Sequence, residues 1–211
     1  MILYIDTSSS YLYAAIVENG KIRKEIKKEY GHDLSKVALP EIVSMFENTD
    51  ITPHDITKII VVNGPGSFTG IRIGITIAKV YAWSLKVPIT TITSLEAMAA
   101  SSKKDLVRVP IIDARRGYCY AAIFDVDDEV LLEPTYITYE KLEEELKTTP
   151  EYKIISNDQE KLQISANVIE AYNPDFVNII NEFKDKKEIN PHAINPDYLK
   201  LTEAEESRKE C

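Results

Sequence analysis

The chain has 211 residues, 44% of them hydrophobic and 28% charged, enough for one large globular domain or two of about 100 residues each. Its 34 acidic residues outnumber 25 basic ones, giving a net charge of −9, so counterion release from a phosphate backbone cannot by itself hold nucleic acid tightly. Two cysteines, Cys119 and Cys211, build neither a disulfide framework nor a cysteine metal site. The opening MILYIDTSSS has no basic leader and no long apolar core, and no apolar run reaches the length of a membrane span. A cytoplasmic protein is expected.

The pattern in chain order starts with a short apolar strand, Leu3–Asp6, that ends in Asp. A polar turn leads to a strand at Tyr11–Glu18. Glu18-Asn19-Gly20 then turns the chain into a third strand, Ile22–Glu29, completing a meander. A helix is predicted over Leu34–Glu47 and a strand over Lys58–Asn63. The turn GPGSFTG then opens a long helix from Ser67 to Leu85. A strand at Ile89–Ile92 and a helix from Ser94 close this half. The polar stretch SSKKD, Ser101–Asp105, marks the break.

The second half repeats the opening. Residues 112–123, IDARRGYCYAAI, match residues 5–16, IDTSSSYLYAAI, at seven of twelve positions, which marks a tandem repeat. Strands are predicted at Ile111–Asp113, Tyr118–Val126 and Val130–Pro134. A helix follows at Tyr139–Lys147, then a strand at Lys153–Ile155 and a helix at Pro174–Asp185. A β1β2β3αβαβα order in each half implies a mixed sheet with helices on its faces. The halves are set at 1–104 and 105–211, with the last segment packing back on the first half. The tail after Leu201, TEAEESRKEC, is highly charged.

The segment Gly64–Gly74, GPGSFTGIRIG, carries the strongest motif. Glycines between a strand and a helix can cradle an anion on backbone amides, and Ser67 is a good N-cap. The spacing lacks the lysine of a phosphate loop and the acid of a dinucleotide fingerprint, so a purely structural turn competes with that reading. Inside the helix, Gly70, Gly74, Ala78 and Ala82 recur every four residues. Each helical glycine costs ~1 kcal/mol against alanine, so this stripe implies a closely packed backbone, either within the chain or in another one.

Asp6 and Asp113 end matching strands. They can hold hydrated magnesium with a nucleotide across a cleft between the halves, or simply cap the turns that follow. With Thr7 and Arg115 they form the candidate set of weak nucleotide or phosphate contacts. His32 lacks a second ligand one helical turn on, where Lys36 stands, and no metal site is expected.

IDTS at the N-terminus, the helix from His32 to Pro40, GPGSFTGIRIG, DARRGYCYAAI and the late NPDYLK together resemble the TsaB family over nearly the whole chain. This resemblance implies an α/β fold of the actin/Hsp70/sugar-kinase (ASKHA) type, with two RNase H-like halves. It implies a subunit of the machinery that makes threonylcarbamoyladenosine in tRNA, without catalytic residues, metal or cofactor of its own. TsaD, the catalytic paralogue, would be its heterodimer partner, with TsaE joining in a larger complex. The isolated chain would form a homodimer, and tRNA would be met only indirectly. The partner interface would comprise Leu34, Ala38 and Ile42 on the first helix, with Phe68, Gly70, Ile71, Gly74, Ile75, Ala78 and Ala82 on the second. A nucleotide-dependent phosphotransferase or ATPase using the cleft is the alternative.

Overall fold

The computed structural model describes residues 1–200. Cys211 and the charged tail after Leu201 lie outside the described residues. The chain divides into two compact units. The first joins Met1–Ser101 to Asn173–Pro196, and the second begins at Ser102 and runs to Tyr172, taking up the chain again at Asp197.

In the first unit, strands β1 (Ile2–Asp6), β2 (Tyr11–Glu18), β3 (Lys21–Glu29), β4 (Lys58–Val62) and β5 (Ile89–Ile92) form one sheet in the order β3-β2-β1-β4-β5. The meander pairs antiparallel, and β1, β4 and β5 run parallel. Central strands of such a sheet are buried on both faces. One face of β1, β2 and β4, carrying Leu3, Ile5, Leu12, Ala14, Ile16, Ile59 and Val61, packs against helices α1 (Leu34–Ser44) and α2 (Phe68–Leu85). The other face meets α5 (Phe176–Phe183), which returns from late in the chain and brings Phe176 to 5.5 Å from the Tyr4 ring. Helix α3 (Ser94–Ala100) packs beside α5. The lysine-rich β3 lies at the edge, where charge discourages pairing with other chains.

The second unit repeats the strand plan. β6 (Val107–Asp113), β7 (Tyr118–Phe124), β8 (Val130–Thr138), β9 (Tyr152–Ser156) and β10 (Ile169–Ala171) form a sheet in the order β10-β9-β6-β7-β8. Read from its β8 end, this is the order of the first sheet. Helix α4 (Tyr139–Leu146) covers the face carrying Val109, Ile111, Ala121 and Ile154.

The structure departs from the sequence pattern at several places: β6 begins at Val107 rather than Ile111, α1 ends at Ser44 rather than Glu47, and β10 has no predicted counterpart. The third strand of the second meander does not stop at Pro134 but continues to Thr138. It is an edge strand, where a missing N–H costs no ladder bond, and the register shifts between Ala121 and Ile123 opposite that proline. The second unit also has no counterpart of α2 between its parallel strands β9 and β10. β9 reaches the short β10 through a loop with one 3-10 turn, Gln159–Lys161. The helix at the end of the second half, α5, groups with the first unit, in the direction expected of the last segment. The architecture is therefore two mixed sheets flanked by helices.

Candidate docking face and the GPGS turn

The GPGS turn begins where β4 ends. Gly64 has φ +124° and Gly66 φ +152°, backbone that side chains avoid. Gly66 has a second constraint: a Cβ there would lie 2.2 Å from the Ser8 carbonyl oxygen. The turn rests directly on the loop between β1 and β2, and the Ser67 N–H donates to the Ser8 carbonyl at 2.7 Å. Ser67 caps α2, its Oγ accepting from the Gly70 N–H at 3.2 Å. From the other side, Ser94 at the start of α3 donates its N–H to the Gly64 carbonyl at 2.8 Å and its Oγ–H to the Pro65 carbonyl at 2.5 Å. The turn is thus wedged between two parts of its own unit. The amide of Ser67 and that of Gly70, which a phosphate would need, already have protein partners.

The small-residue stripe faces the same way. A Cβ on Gly70 would lie 2.0 Å from the Thr7 carbonyl oxygen, and one on Gly74 would lie 2.4 Å from Thr7 Oγ1. Thr7 Oγ1 donates to the Gly70 carbonyl at 2.7 Å. The close backbone implied by the glycines is therefore the chain's own β1–β2 turn. This corrects the expected interface. Leu34, Ala38, Ile42, Gly70, Ile71, Gly74, Ile75, Ala78 and Ala82 are all buried within the first unit. Of the expected set, Phe68 alone stays exposed.

The surface that α1 and α2 leave open carries other residues. Phe68, Arg72, Thr76 and Val80 also recur every four residues, displaced by two from the glycine stripe and so about 200° round the helix. Phe68 is 51% exposed, Val80 59% and Trp83 67%, and α1 adds Leu39 at 49% and Val43 at 43%. The Arg72 guanidinium lies 4.1 Å from the centre of the Phe68 ring. The two helices pack side by side, with Phe46 of the loop after α1 stacked on Tyr81 of α2 at 6.3 Å. Leu39, Val43, Val80 and Trp83 were missed from the interface set expected from sequence. The available signal was Trp83, a large aromatic one residue beyond Ala82 and off the glycine stripe.

The remaining candidates fall in separate units. In the first, Asp6 is buried, and its Oδ1 accepts the Ser8 N–H at 2.8 Å. Burial pushes its carboxyl above the ordinary value, against the opposing pull of the Ser8 hydrogen bonds. Asp6 and Thr7 thus have polar atoms engaged in shaping the turn, for Asp6 the capping alternative, and this corrects their expected use as phosphate contacts. In the second unit, Asp113 Oδ1 accepts from the Tyr139 hydroxyl at 3.3 Å. Arg115 is exposed on the turn after β6, with φ +65°. Beside them the Cys119 thiol is buried and pushed up to about 12, by burial first and by the Asp113 charge second, so it is no ready nucleophile at neutral pH. Lys36 pairs with Asp33 at 2.8 Å.

Comparison with known proteins adds the following. The family described as "TsaD: tRNA N6-adenosine threonylcarbamoyltransferase" matches residues 18–204. The tRNA threonylcarbamoyladenosine biosynthesis protein TsaB of Bacillus subtilis is 33% identical over 97% of this chain and 96% of its own. The protein of that name from Escherichia coli is 31% identical over 60% of this chain and 56% of its own. Among solved structures, a Pseudomonas aeruginosa protein described as similar to peptidase YEAZ superimposes with a TM-score of 0.79 at 16% identity, covering 94% of this chain and 99% of that one. At that identity the likeness concerns the fold.

Proposed function

The chain belongs to the TsaB family of tRNA threonylcarbamoyladenosine biosynthesis proteins, and from that premise we propose that it is a non-catalytic, activating subunit that docks on TsaD. Its place in the formation of this tRNA modification follows from the family. The docking reading is carried by one observation: Leu39, Val43, Phe68, Val80 and Trp83 stand exposed across two adjacent helices. Large apolar side chains exposed together on neighbouring helices mark an interaction surface, and buried aromatic residues supply much of the binding energy at such surfaces. The same face would pair two copies of the isolated chain, since a self-complementary patch makes a twofold dimer. TsaE would join the larger assembly, in the cytoplasm.

The non-catalytic reading is supported by the inward use of Asp6 and Thr7 and by the Ser8 carbonyl under the GPGS turn. Reconstitution of tRNA modification from TsaC, TsaD and TsaE, with and without this chain, tests it. Activity should vanish without the chain, and the chain alone should have none. Trp83→Glu, a substitution at an exposed position, should leave folding intact and weaken TsaD binding by about 30-fold or more, the equivalent of ~2 kcal/mol. Unchanged binding by the folded variant would remove the docking assignment. Micromolar binding of ATP with magnesium, with turnover lost in Asp6→Asn, would favour a phosphotransferase instead.

A further inference from the structure

The motif DARRGYCY has no role in the docking reading, and its surroundings differ from those of its counterpart in the first half. The turn after β6 is closed by the Ala114 N–H donating to the Tyr118 carbonyl at 2.9 Å and the Tyr118 N–H donating to the Arg115 carbonyl at 3.1 Å. The Gly117 carbonyl accepts from the Tyr139 N–H at 3.1 Å, tying the turn to α4. Arg115 and Arg116 stand exposed on it, both with left-handed φ, +65° and +54°. Side chains disfavour that conformation, so the rigid turn holds two cations where a glycine or asparagine would sit more easily.

The next residue but one starts an aromatic row. Tyr118, 37% exposed, stacks on Tyr136 with ring centres 4.7 Å apart and planes 7° from parallel. Tyr120 meets the same Tyr136 ring at 5.5 Å, and the Lys200 ammonium lies 5.4 Å from its centre. Three tyrosines, two arginines and a lysine thus gather on one edge of a sheet in a chain of net charge −9. The acidic groups nearby include Asp113, held by Tyr139, and Asp158, which acts on Tyr139 and pairs with Lys161 at 2.7 Å, a further cation beside Arg115.

We propose that the Arg115–Arg116 turn and the Tyr118–Tyr136 row form a contact surface for unpaired nucleotides of RNA. Tyrosine faces stack on bases without regard to sequence, and guanidinium groups contact the adjoining phosphates. Charge complementarity selects this occupant: the local cations suit a polyanion with flat groups, whereas an apolar protein face would leave both arginines unused. Two cations cannot hold RNA tightly alone, so the surface orients RNA whose main grip lies elsewhere. The proposal takes its nucleic acid from the tRNA-linked reading above. It departs from the expectation that tRNA is met only indirectly.

The test uses the full isolated chain, labelled with nitrogen-15, at low salt. An RNA hairpin with an unpaired loop is titrated in, and then a fully paired RNA duplex. Amide shifts should concentrate at residues 114–120 and around 136 with the hairpin and be much weaker with the duplex. The double variant Arg115→Ala, Arg116→Ala should bind about ten-fold more weakly and lose about two from the slope of log affinity against log salt. Tyr118→Ala should lose about five-fold or more with little change in slope, because base stacking is not ionic. Absence of shifts at these residues, equal response to the duplex, or the same shifts with polyglutamate would overturn the proposal. The docking reading is judged separately through Trp83→Glu, so one can fail while the other stands.

Discussion

Thr7–Ser10 follows β1 and Ala114–Gly117 follows β6, between strands that repeat the same residues in sheets of the same order. In the first unit a long helix comes after the next parallel strand, and its glycines let it settle onto the turn. Thr7 and Ser8 become buried, and their polar atoms are used inside the fold. In the second unit a loop with one 3-10 turn takes the place of that helix. Its turn stays exposed and carries arginines instead of serines. The same strand frame therefore supports a packed joint in one copy and an open turn in the other, according to whether a helix arrives to cover it.

The largest expected break in this contrast comes from the glycines. Gly70→Val drives a side chain into the Thr7 carbonyl, where backbone cannot move aside. It should cost at least ~3 kcal/mol or prevent folding. Gly117→Ala meets nothing closer than Gln163 Oε1 at 4.0 Å. It should cost about 1 kcal/mol, for its φ of +79° alone. Denaturant unfolding of the two variants compares the turns directly, and equal costs would show that the first is not packed as described.

A smaller difference separates the side chains of the two turns. Thr7→Val removes the buried hydrogen bond to Gly70 and should cost about 1–2 kcal/mol. Arg115→Ala should stay within about 0.5 kcal/mol, because its side chain is exposed. Urea midpoints with unchanged m-values would verify both.

The smallest effect is one of pH, and its sign should differ between the units. Burial alone would raise the Asp128 carboxyl, but hydrogen bonds and charge from Lys104 and Arg108 together hold it below the ordinary carboxylate value. Its ionised form favours the fold, so its contribution is present above the unfolded pKa and is lost as pH falls through the lower folded one. A side chain 35% exposed makes this contribution modest. Asp6 is raised by burial, so the fold favours its neutral form. Its contribution to stability declines as pH climbs from the ordinary aspartate range to the raised value. In stability measured against pH, Asp128→Asn should reduce acid sensitivity, and Asp6→Asn should remove a loss that sets in on leaving acid. Curves shifted in the same direction would refute the contrast.

Local chemistry alone determined much of this. Strand alternation, turn residues and the Ser67 cap marked β1 to β5 and α2 to within a residue or two. The 107-residue offset between IDTSSSYLYAAI and IDARRGYCYAAI marked the repeated sheet. Glycines every four residues announced that a backbone comes close to α2. Which backbone it is was left to the tertiary structure, because a neighbouring turn and another chain's helix impose the same need for small residues. Once Thr7 fills that place, the glycine face is inside, and the face with Phe68, Val80 and Trp83 is outside. The same applies to α5. The sequence pattern placed a helix at Pro174–Asp185 and sent the last segment back toward the first half, but the surface it covers, with Phe176 against Tyr4, came from the long-range contact. Periodicity records that a face must be buried; the partner that buries it is set by contacts far apart in the chain.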